Sequence, residues 1–396
     1  MRAGPRRRCS RRVAAVLRHS AAVWYRGSMG GGEGSYDALV VVSFGGPEGP
    51  EDVMPFLENV TRGRDVPRAR LDQVAAHYRA VGGVSPINAQ NRALVAALER
   101  SFAARGIRLR VYWGNRNWHP YLGDAVRTMA ADGVRRALAF VTSAYSSYSS
   151  CRQYLDDIER ARAAAGDRAP AIDKIRPFWN HPGFIDTMAQ RTREALAAHG
   201  EPVEAAGQAG RAGSHGQEAS GGQATLRIVF TAHSVPVAMA RGCDYENQLR
   251  EVAELVAGRL DPPRPWDLAF QSRSGPPEQA WLGPDIVDHL ETLRAAGVER
   301  AVVVPIGFVS DHMEVVHDLD VEAAAAAARL GIRFARARTA GTAPRFIETV
   351  CDLALERLEG RPPAWIGRLG PRPVPCAGDC CPAPAISAAR PTHPSG

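Results

Sequence analysis

The chain has 396 residues, 45% of them hydrophobic and 23% charged, enough to build more than one domain-sized core. The formal net charge is +7, but residues 1–35 alone hold eight Arg and one Glu, which leaves 41 basic and 41 acidic groups in the remainder. The body therefore has no positive excess for a polyanion, so no nucleic-acid partner is expected; no apolar run reaches bilayer length, so no transmembrane segment is expected either.

Residues 1–35 open with MRAGPRRRCSRRVAAVLRHS, an apolar run broken by Arg18 and His19 that makes a poor secretory signal. A transit peptide stays open as a reading. The preferred one is a disordered leader or an over-called start, with translation beginning at Met29 and the protein cytoplasmic.

Past residue 35, short apolar strands alternate with longer helical patterns. In chain order the expectation is a strand at 38–43, helices at 51–61, 68–81 and 89–105, a strand at 108–113, a helix at 123–132, a strand at 136–141, and helices at 152–165 and 183–199. Residues 201–224, rich in Gly, Ala, Ser and Gln, have little to bury and are expected to be a disordered insertion. Strands at 226–230, 267–271, 301–305 and 333–337 follow, with helices at 245–260 and 285–296, one beginning after Gly307, and a C-terminal helix at 343–358. Residues 359–396 are a Pro-rich tail that cannot form a long helix.

Strand–helix alternation predicts parallel sheets, and the order runs twice, before and after about residue 178. The fold class expected is α/β: two similar doubly wound, Rossmann-like domains, 36–177 and 178–342, with a cleft between them. There is no Gly-rich dinucleotide fingerprint and no phosphate loop.

Two segments carry chemistry. In PIGFVSDHMEVVHDLDVE, residues 305–322, Glu314, Asp318 and Glu322 recur every four residues with no Lys or Arg among them. Such spacing stacks three carboxylates on one helix face at some cost in repulsion, which makes sense if cations or protons pass along it. A solvated acidic face is the ordinary meaning of the same pattern. In LRIVFTAHSVP, residues 226–236, His233 sits where a strand ends, the usual location of ligand sites in open α/β sheets. An imidazole there is suited to accept protons near neutral pH, although strand-end histidines are often structural.

Together these segments resemble the ferrochelatases, which insert ferrous iron into a porphyrin. The resemblance runs from about Tyr36 to Leu358. It includes Ser43-Phe44-Gly45-Gly46-Pro47, Gly82-Gly83-Val84-Ser85-Pro86, Tyr112-Trp113-Gly114-Asn115-Arg116, Tyr145-Ser146-Ser147-Tyr148-Ser149, Phe270-Gln271-Ser272-Arg273 and Trp281-Leu282-Gly283-Pro284-Asp285, in the family's order. It implies His233 and Glu314 as the catalytic pair and Fe2+ ligands, facing each other across the cleft, with Asp318 and Glu322 as a proton or metal path. It also implies that Tyr148 contacts the porphyrin and that Ser85 holds a propionate; Arg62, Arg64 and His77 are further propionate candidates. One departure stands out: several bacterial relatives have an iron-ligating tyrosine where this chain has Phe44.

The resemblance also bears on the cysteines. Cys151 with Cys376, Cys380 and Cys381 fits the layout of actinobacterial-type members that carry a [2Fe-2S] cluster; structural zinc is the alternative for four thiolates. Cys243 and Cys351 are expected to be core thiols. The expected substrates are Fe2+ and coproporphyrin III, giving coproheme, with protoporphyrin IX as runner-up and transient handover to haem-pathway enzymes. A non-catalytic metal or haem carrier with a sensing cluster is the alternative of another class.

Overall fold

The computed structural model describes residues 35–63, 65–200, 225–275 and 278–383, and the backbone of residues 204–205. The leader, Arg64, most of the 201–224 insertion and residues 384–396 lie outside the described residues.

The first apolar run becomes β1 (Ala38–Ser43), buried at all six positions. A strand so uniformly apolar belongs inside a parallel sheet covered on both faces. It is followed by α1 (Val53–Val60), α2 (Arg68–Ala80), α3 (Ile87–Arg105), β2 (Arg110–Asn115), α4 (Leu122–Ala131), β3 (Arg136–Val141), α5 (Gln153–Ala165), β4 (Ala171–Lys174) and α6 (Pro182–Ala198). The second series comprises β5 (Thr225–His233), α7 (Tyr245–Ala257), β6 (Trp266–Gln271), α8 (Ile286–Ala295) and β7 (Val298–Val304). A helix over 313–330, here α9, then leads to β8 (Arg333–Arg336) and α10 (Pro344–Leu358).

The two four-stranded sheets are parallel. The first has the order β2-β1-β3-β4 and the second β8-β7-β5-β6. Read from its other edge, the second sheet is β6-β5-β7-β8, so the two halves share one order, 2-1-3-4. In each, the chain goes from its first strand to one side and then to the other. The crevice between first and third strands is the topological switch point where open α/β sheets hold ligands.

One apolar cluster runs through both halves, joining Leu39 and Phe140 of the first sheet to Phe230 and Val302 of the second, with Trp179, Phe184 and Phe346 between. The C-terminal helix α10 is part of this seam: Ser101 of α3 touches Cys351 at 3.2 Å, and Arg357 donates to the Tyr36 hydroxyl at 2.8 Å. Polar bridges also cross from one half to the other. The Tyr145 hydroxyl donates to the Ile306 carbonyl at 2.9 Å, and the Asp311 amide donates to Gln90 Oε1 at 2.9 Å. Near the cleft, α1 and α2 pack Phe56 and Tyr78 against Met313.

Sequence reading missed β4, a four-residue edge strand (AIDK) too short and too polar to show a pattern. It also left the tail with no anchor except its thiols. The structure supplies others. Arg176 pairs bidentately with buried Glu356 at 2.8 Å and donates to the Ala364 carbonyl, the Ile366 amide donates to the Asn180 carbonyl at 3.0 Å, and Asn180 Nδ2 donates to the Gly370 carbonyl at 2.8 Å. The tail therefore needs no regular secondary structure to be held.

Candidate active site

His233 is the last residue of β5, opposite Gln271 of β6 in register. After β7 the chain turns through Gly307, whose amide donates to the Thr231 carbonyl at 3.0 Å. A Cβ at Gly307 would lie 2.6 Å from the Ala232 Cα, so only glycine lets the turn approach the strand. Just beyond it, His312 Nδ1 accepts the Glu314 amide at 3.1 Å and caps α9. The result is Glu314 Oε2 at 3.4 Å from His233 Nε2 and 3.9 Å from His312 Nε2. Gln271 Nε2 fixes the Glu314 backbone by donating to its carbonyl at 2.6 Å, and the Tyr245 hydroxyl does the same for the His233 carbonyl at 3.0 Å.

His233 Nδ1 faces the Ser234 carbonyl, so that nitrogen carries a proton and Nε2 is the atom that titrates against Glu314. Burial opposes charge on the ring, but the Glu314 carboxylate outweighs it and lifts the His233 pKa to about 9. Burial likewise pushes Glu314 up, yet His233 prevails and draws it down to about 2. Both groups lie deep among protein atoms while their side chains stay 32% and 45% exposed to the cleft. At neutral pH the pair is thus imidazolium and carboxylate. This differs from the neutral imidazole expected from sequence, because the partner carboxylate is so close.

The ladder continues along α9, where residues Val316–Ala323 form π-helical turns. A four-residue step overshoots a 3.6-residue turn by about 40°; the π turns here are wider than an α turn, so the facing of Asp318 and Glu322 departs from a regular α-helical wheel. Asp318 accepts a hydrogen bond from the Ser272 hydroxyl. Ser272 has φ 64°, a left-handed backbone rarely adopted outside glycine and often found at functional sites. Burial, reinforced by the charges of Glu314 and Glu322, raises Asp318 to about 7 against that hydrogen bond. Its carboxyl group can therefore take up or release a proton near neutral pH.

Glu322 is half-exposed, and His317 stands between it and Asp318. His317 Nδ1 is 3.5 Å from Asp318 Oδ1 and 3.8 Å from Glu322 Oε1. The His317 ring stacks on His77 with centroids 4.0 Å apart, so His77 packs against this helix. Burial, then the neighbouring His77, lowers the His317 pKa.

The other candidates belong to the first half's switch point. Beyond β1, the Phe44 ring meets Phe56 edge-on at 6.3 Å and offers no ligand atom. A Cβ at Gly46 would lie 2.6 Å from the Ser85 Cβ, so this glycine lets the Ser85 loop close on the strand end. Beyond β3, the Ser147 hydroxyl accepts the Ser150 amide at 3.1 Å and caps a π turn, Tyr148–Arg152. Tyr148 opens that turn and Cys151 lies within it. A cluster cysteine candidate and a porphyrin-contact candidate therefore share one turn, an adjacency not drawn from the sequence.

The four predicted thiols do come together. Cys380 and Cys381 sulfurs are 3.7 Å apart. The hydrogen bond from Cys376, against burial and with help from Lys174 and Arg372, holds the Cys151 thiol below its ordinary range. Cys351 is a core thiol as expected, fully buried. Cys243 is not: it is half-buried and lines a pocket with Arg241, Arg372, Cys380 and Cys381.

His233 and Glu314 thus meet, but not across the cleft as expected: His233 ends β5, and Glu314 opens α9, which follows β7, the strand paired with β5 in the same sheet. His312, His317, Gln271, Ser272 and Tyr245 were missed as site residues. Gln271 and Ser272 were visible within a family motif, but nothing local in the sequence signals the Ser272 backbone.

Fold and site define a two-lobed α/β protein whose second switch point presents an imidazole, a carboxylate and further titratable groups along one helix, side-chain types suited to a divalent metal. The family model for ferrochelatase matches residues 36–358, and the chain belongs to the ferrochelatase family. It is 51% identical over 352 residues to a ferrochelatase of Rhodopirellula baltica, covering 87% of this chain and 93% of the relative. It is 51% identical over 364 residues to the coproporphyrin III ferrochelatase of Nocardia farcinica, covering 87% and 96%, and 48% identical over 372 residues to that of Streptomyces coelicolor, covering 88% and 94%. Among the described residues no helix is long and apolar enough to cross a membrane.

Proposed function

We propose that this chain inserts Fe2+ into coproporphyrin III to form coproheme, with His233 and Glu314 as the metal-handling pair. The observation that carries this reading is the 3.4 Å approach of His233 Nε2 to Glu314 Oε2 at a switch point, with the Asp318 carboxyl, raised by burial, one step along α9. The choice of ring follows the names of the Nocardia and Streptomyces relatives.

Metalation must remove two pyrrole protons per iron, and the site's charges suggest how. Fe2+ entering between Glu314 and His233 displaces the Nε2 proton, because a ligating imidazole must be neutral. That proton leaves by Asp318 and Glu322. When iron passes to the ring, Nε2 is free again and takes one pyrrole proton, restoring the resting pair. The second pyrrole proton leaves through Asp318, whose pKa of about 7 suits release near neutral pH. One proton departs at loading and one at insertion. In this reading iron is held from the second half, since Phe44 supplies no ligand on the other side, while Tyr148 contacts the ring and Ser85 a propionate.

The converging thiols of Cys151, Cys376, Cys380 and Cys381 fit a four-thiolate group, with Lys174 and Arg372 offsetting the negative charge. In this reading they hold a [2Fe-2S] cluster, which when bound supplies a one-electron redox centre and a cross-link between tail and body. Cytoplasmic location, handover of coproheme to haem-pathway enzymes and the domain limits 36–177 and 178–342 belong to the same proposal.

The test is anaerobic addition of Fe2+ to coproporphyrin III and protoporphyrin IX in parallel, followed by absorbance. Coproporphyrin III should react faster by about two orders of magnitude, because the other ring leaves propionate partners unpaired. Equal rates would overturn the ring assignment, and no metalation of either would overturn the enzyme reading.

A further inference from the structure

Helix α7 touches the C-terminal strap and the cleft with one buried face. Tyr245, Gln248 and Glu251, spaced three apart and all buried, line that face. Glu251, 1% exposed, accepts the strap amides of Arg368 and Leu369, the latter at 3.1 Å, and Trp179 Nε1 at 3.4 Å. The strap runs so close that a Cβ at Gly367 would lie 2.7 Å from the Glu251 carboxyl carbon. Asp244, the N-cap of the helix, pairs with Arg372 further along the strap.

One turn before Glu251, the fully buried Gln248 uses both ends of its amide on Ser146. Its Oε1 accepts the Ser146 amide at 2.8 Å and its Nε2 donates to the Ser146 hydroxyl at 3.0 Å. Ser146 immediately precedes the Ser147 cap of the turn that carries Tyr148. A further turn back, the Tyr245 hydroxyl holds the His233 carbonyl. Burying an amide and a carboxylate on one helix face costs stability unless every bond is made, and when they are made the arrangement specifies one geometry. Here that geometry relates a segment of the tail to both mouths of the cleft.

We propose that Gln248 and Glu251 are positioning residues for metalation: through α7, the seating of strap residues 366–372 fixes the 144–149 loop and so places Tyr148 at the porphyrin. Cys376 lies four residues past the strap and Cys151 lies in the Tyr148 turn, so the thiol site joins the two ends of the same link. The proposal rests on the reading of Tyr148 as a porphyrin contact.

The experiment uses the full-length protein. Hydrogen exchange of segments 144–150 and 366–372 is followed without porphyrin, and KM and kcat for coproporphyrin III are measured separately. Glu251→Ala should speed exchange in both segments and raise KM about tenfold, the size of an ordinary coupling, with kcat within about twofold. Gln248→Met should loosen 144–150 alone with the same rise in KM. Glu254→Gln, which removes only the exposed ion pair to Arg368, should do neither. The proposal is overturned if Glu251→Ala loosens the strap while loop exchange stays unchanged, or if protection is lost throughout the protein. Should Glu251→Ala not fold, unchanged loop exchange in Gln248→Met overturns it alone. A loosened loop with unchanged KM supports the coupling and refutes the porphyrin contact of Tyr148.

Discussion

Metal binding at His233 and Glu314 should be strongly pH-dependent, and the slope follows from the ion pair. With its pKa at about 9, His233 has a free Nε2 lone pair in only about one molecule in a hundred at pH 7. A metal that needs that lone pair binds by expelling one proton. Apparent affinity should then rise about tenfold per pH unit from about pH 6 to 8.5, and level off above 9. Glu314→Gln removes the largest contribution that raises His233 and leaves burial, which lowers it, against the smaller ones of the Ser234 carbonyl and Asp318, so the imidazole pKa should fall well below its wild-type value. The variant should bind metal more weakly, having lost a ligand, and with a much shallower pH dependence between pH 6.5 and 8.5. The assay is anaerobic titration with Co2+, read by its visible absorption, alongside the His233 ring signals in NMR spectra. Wild-type affinity that is flat between pH 6.5 and 8.5, or a variant that keeps the wild-type slope, would refute the argument.

Further outcomes are expected. His233→Ala should lower metalation by about a hundredfold or more with the melting temperature nearly unchanged, since the side chain lines the cleft, while Glu322→Gln, two turns out and half-exposed, should be milder; comparable losses in both would sink the ordering of the ladder. His181 is buried and neutral, its pKa pulled down to about 3 by burial and then by Arg176 and Arg345, and its Nδ1 accepts the Gly183 amide at the start of α6. The unfolded chain binds that proton below about pH 6.5, so its share of stability is intact above 6.5 and is lost as pH falls toward 3. His181→Asn should flatten that part of the pH–stability curve, and an unchanged curve would count against it. Serine at Cys151, Cys376, Cys380 or Cys381 should each abolish a dithionite-bleachable brown colour in anaerobically purified protein, whereas serine at Cys351, or at Cys243, whose thiol donates to the Met239 carbonyl, should not. Colourless wild-type protein holding one zinc per chain would favour zinc instead.

Most elements were readable from the sequence because parallel strands buried on both faces leave unmistakable apolar runs, as in Ala38–Ser43 and Arg136–Val141, both found as expected. Edges were less readable: β4 has four residues and no pattern, and β7 starts three residues early with Val298 and Glu299. Within the site, the Glu314-Asp318-Glu322 spacing was visible, but the π turns that Asp318 and Glu322 sit in were not, since no residue type marks a π turn as Pro marks a kink. The histidine between Asp318 and Glu322 was in plain view and unread, because an α-helical wheel turns His317 away from its neighbours. The approach of Glu314, at the start of α9, to His233, at the end of β5, depends on the pairing of β5 with β7, which local patterns do not encode. The anchoring of the tail by Glu251 and Asn180 depends on contacts separated by more than a hundred residues.

The repeated strand order has a consequence for symmetry. Two copies of one such half, paired about a twofold axis, would present two identical mouths to whatever lay between them, and a metal and a flat ring would meet the same side chains from either side. Joining both windings in one chain removes that constraint. One mouth here carries the acids and imidazoles, and the other carries hydroxyls and aromatic rings. A substitution can therefore alter one side without being copied onto the other: Phe44 can pack on Phe56 at its mouth while His233 and Glu314 pair at theirs.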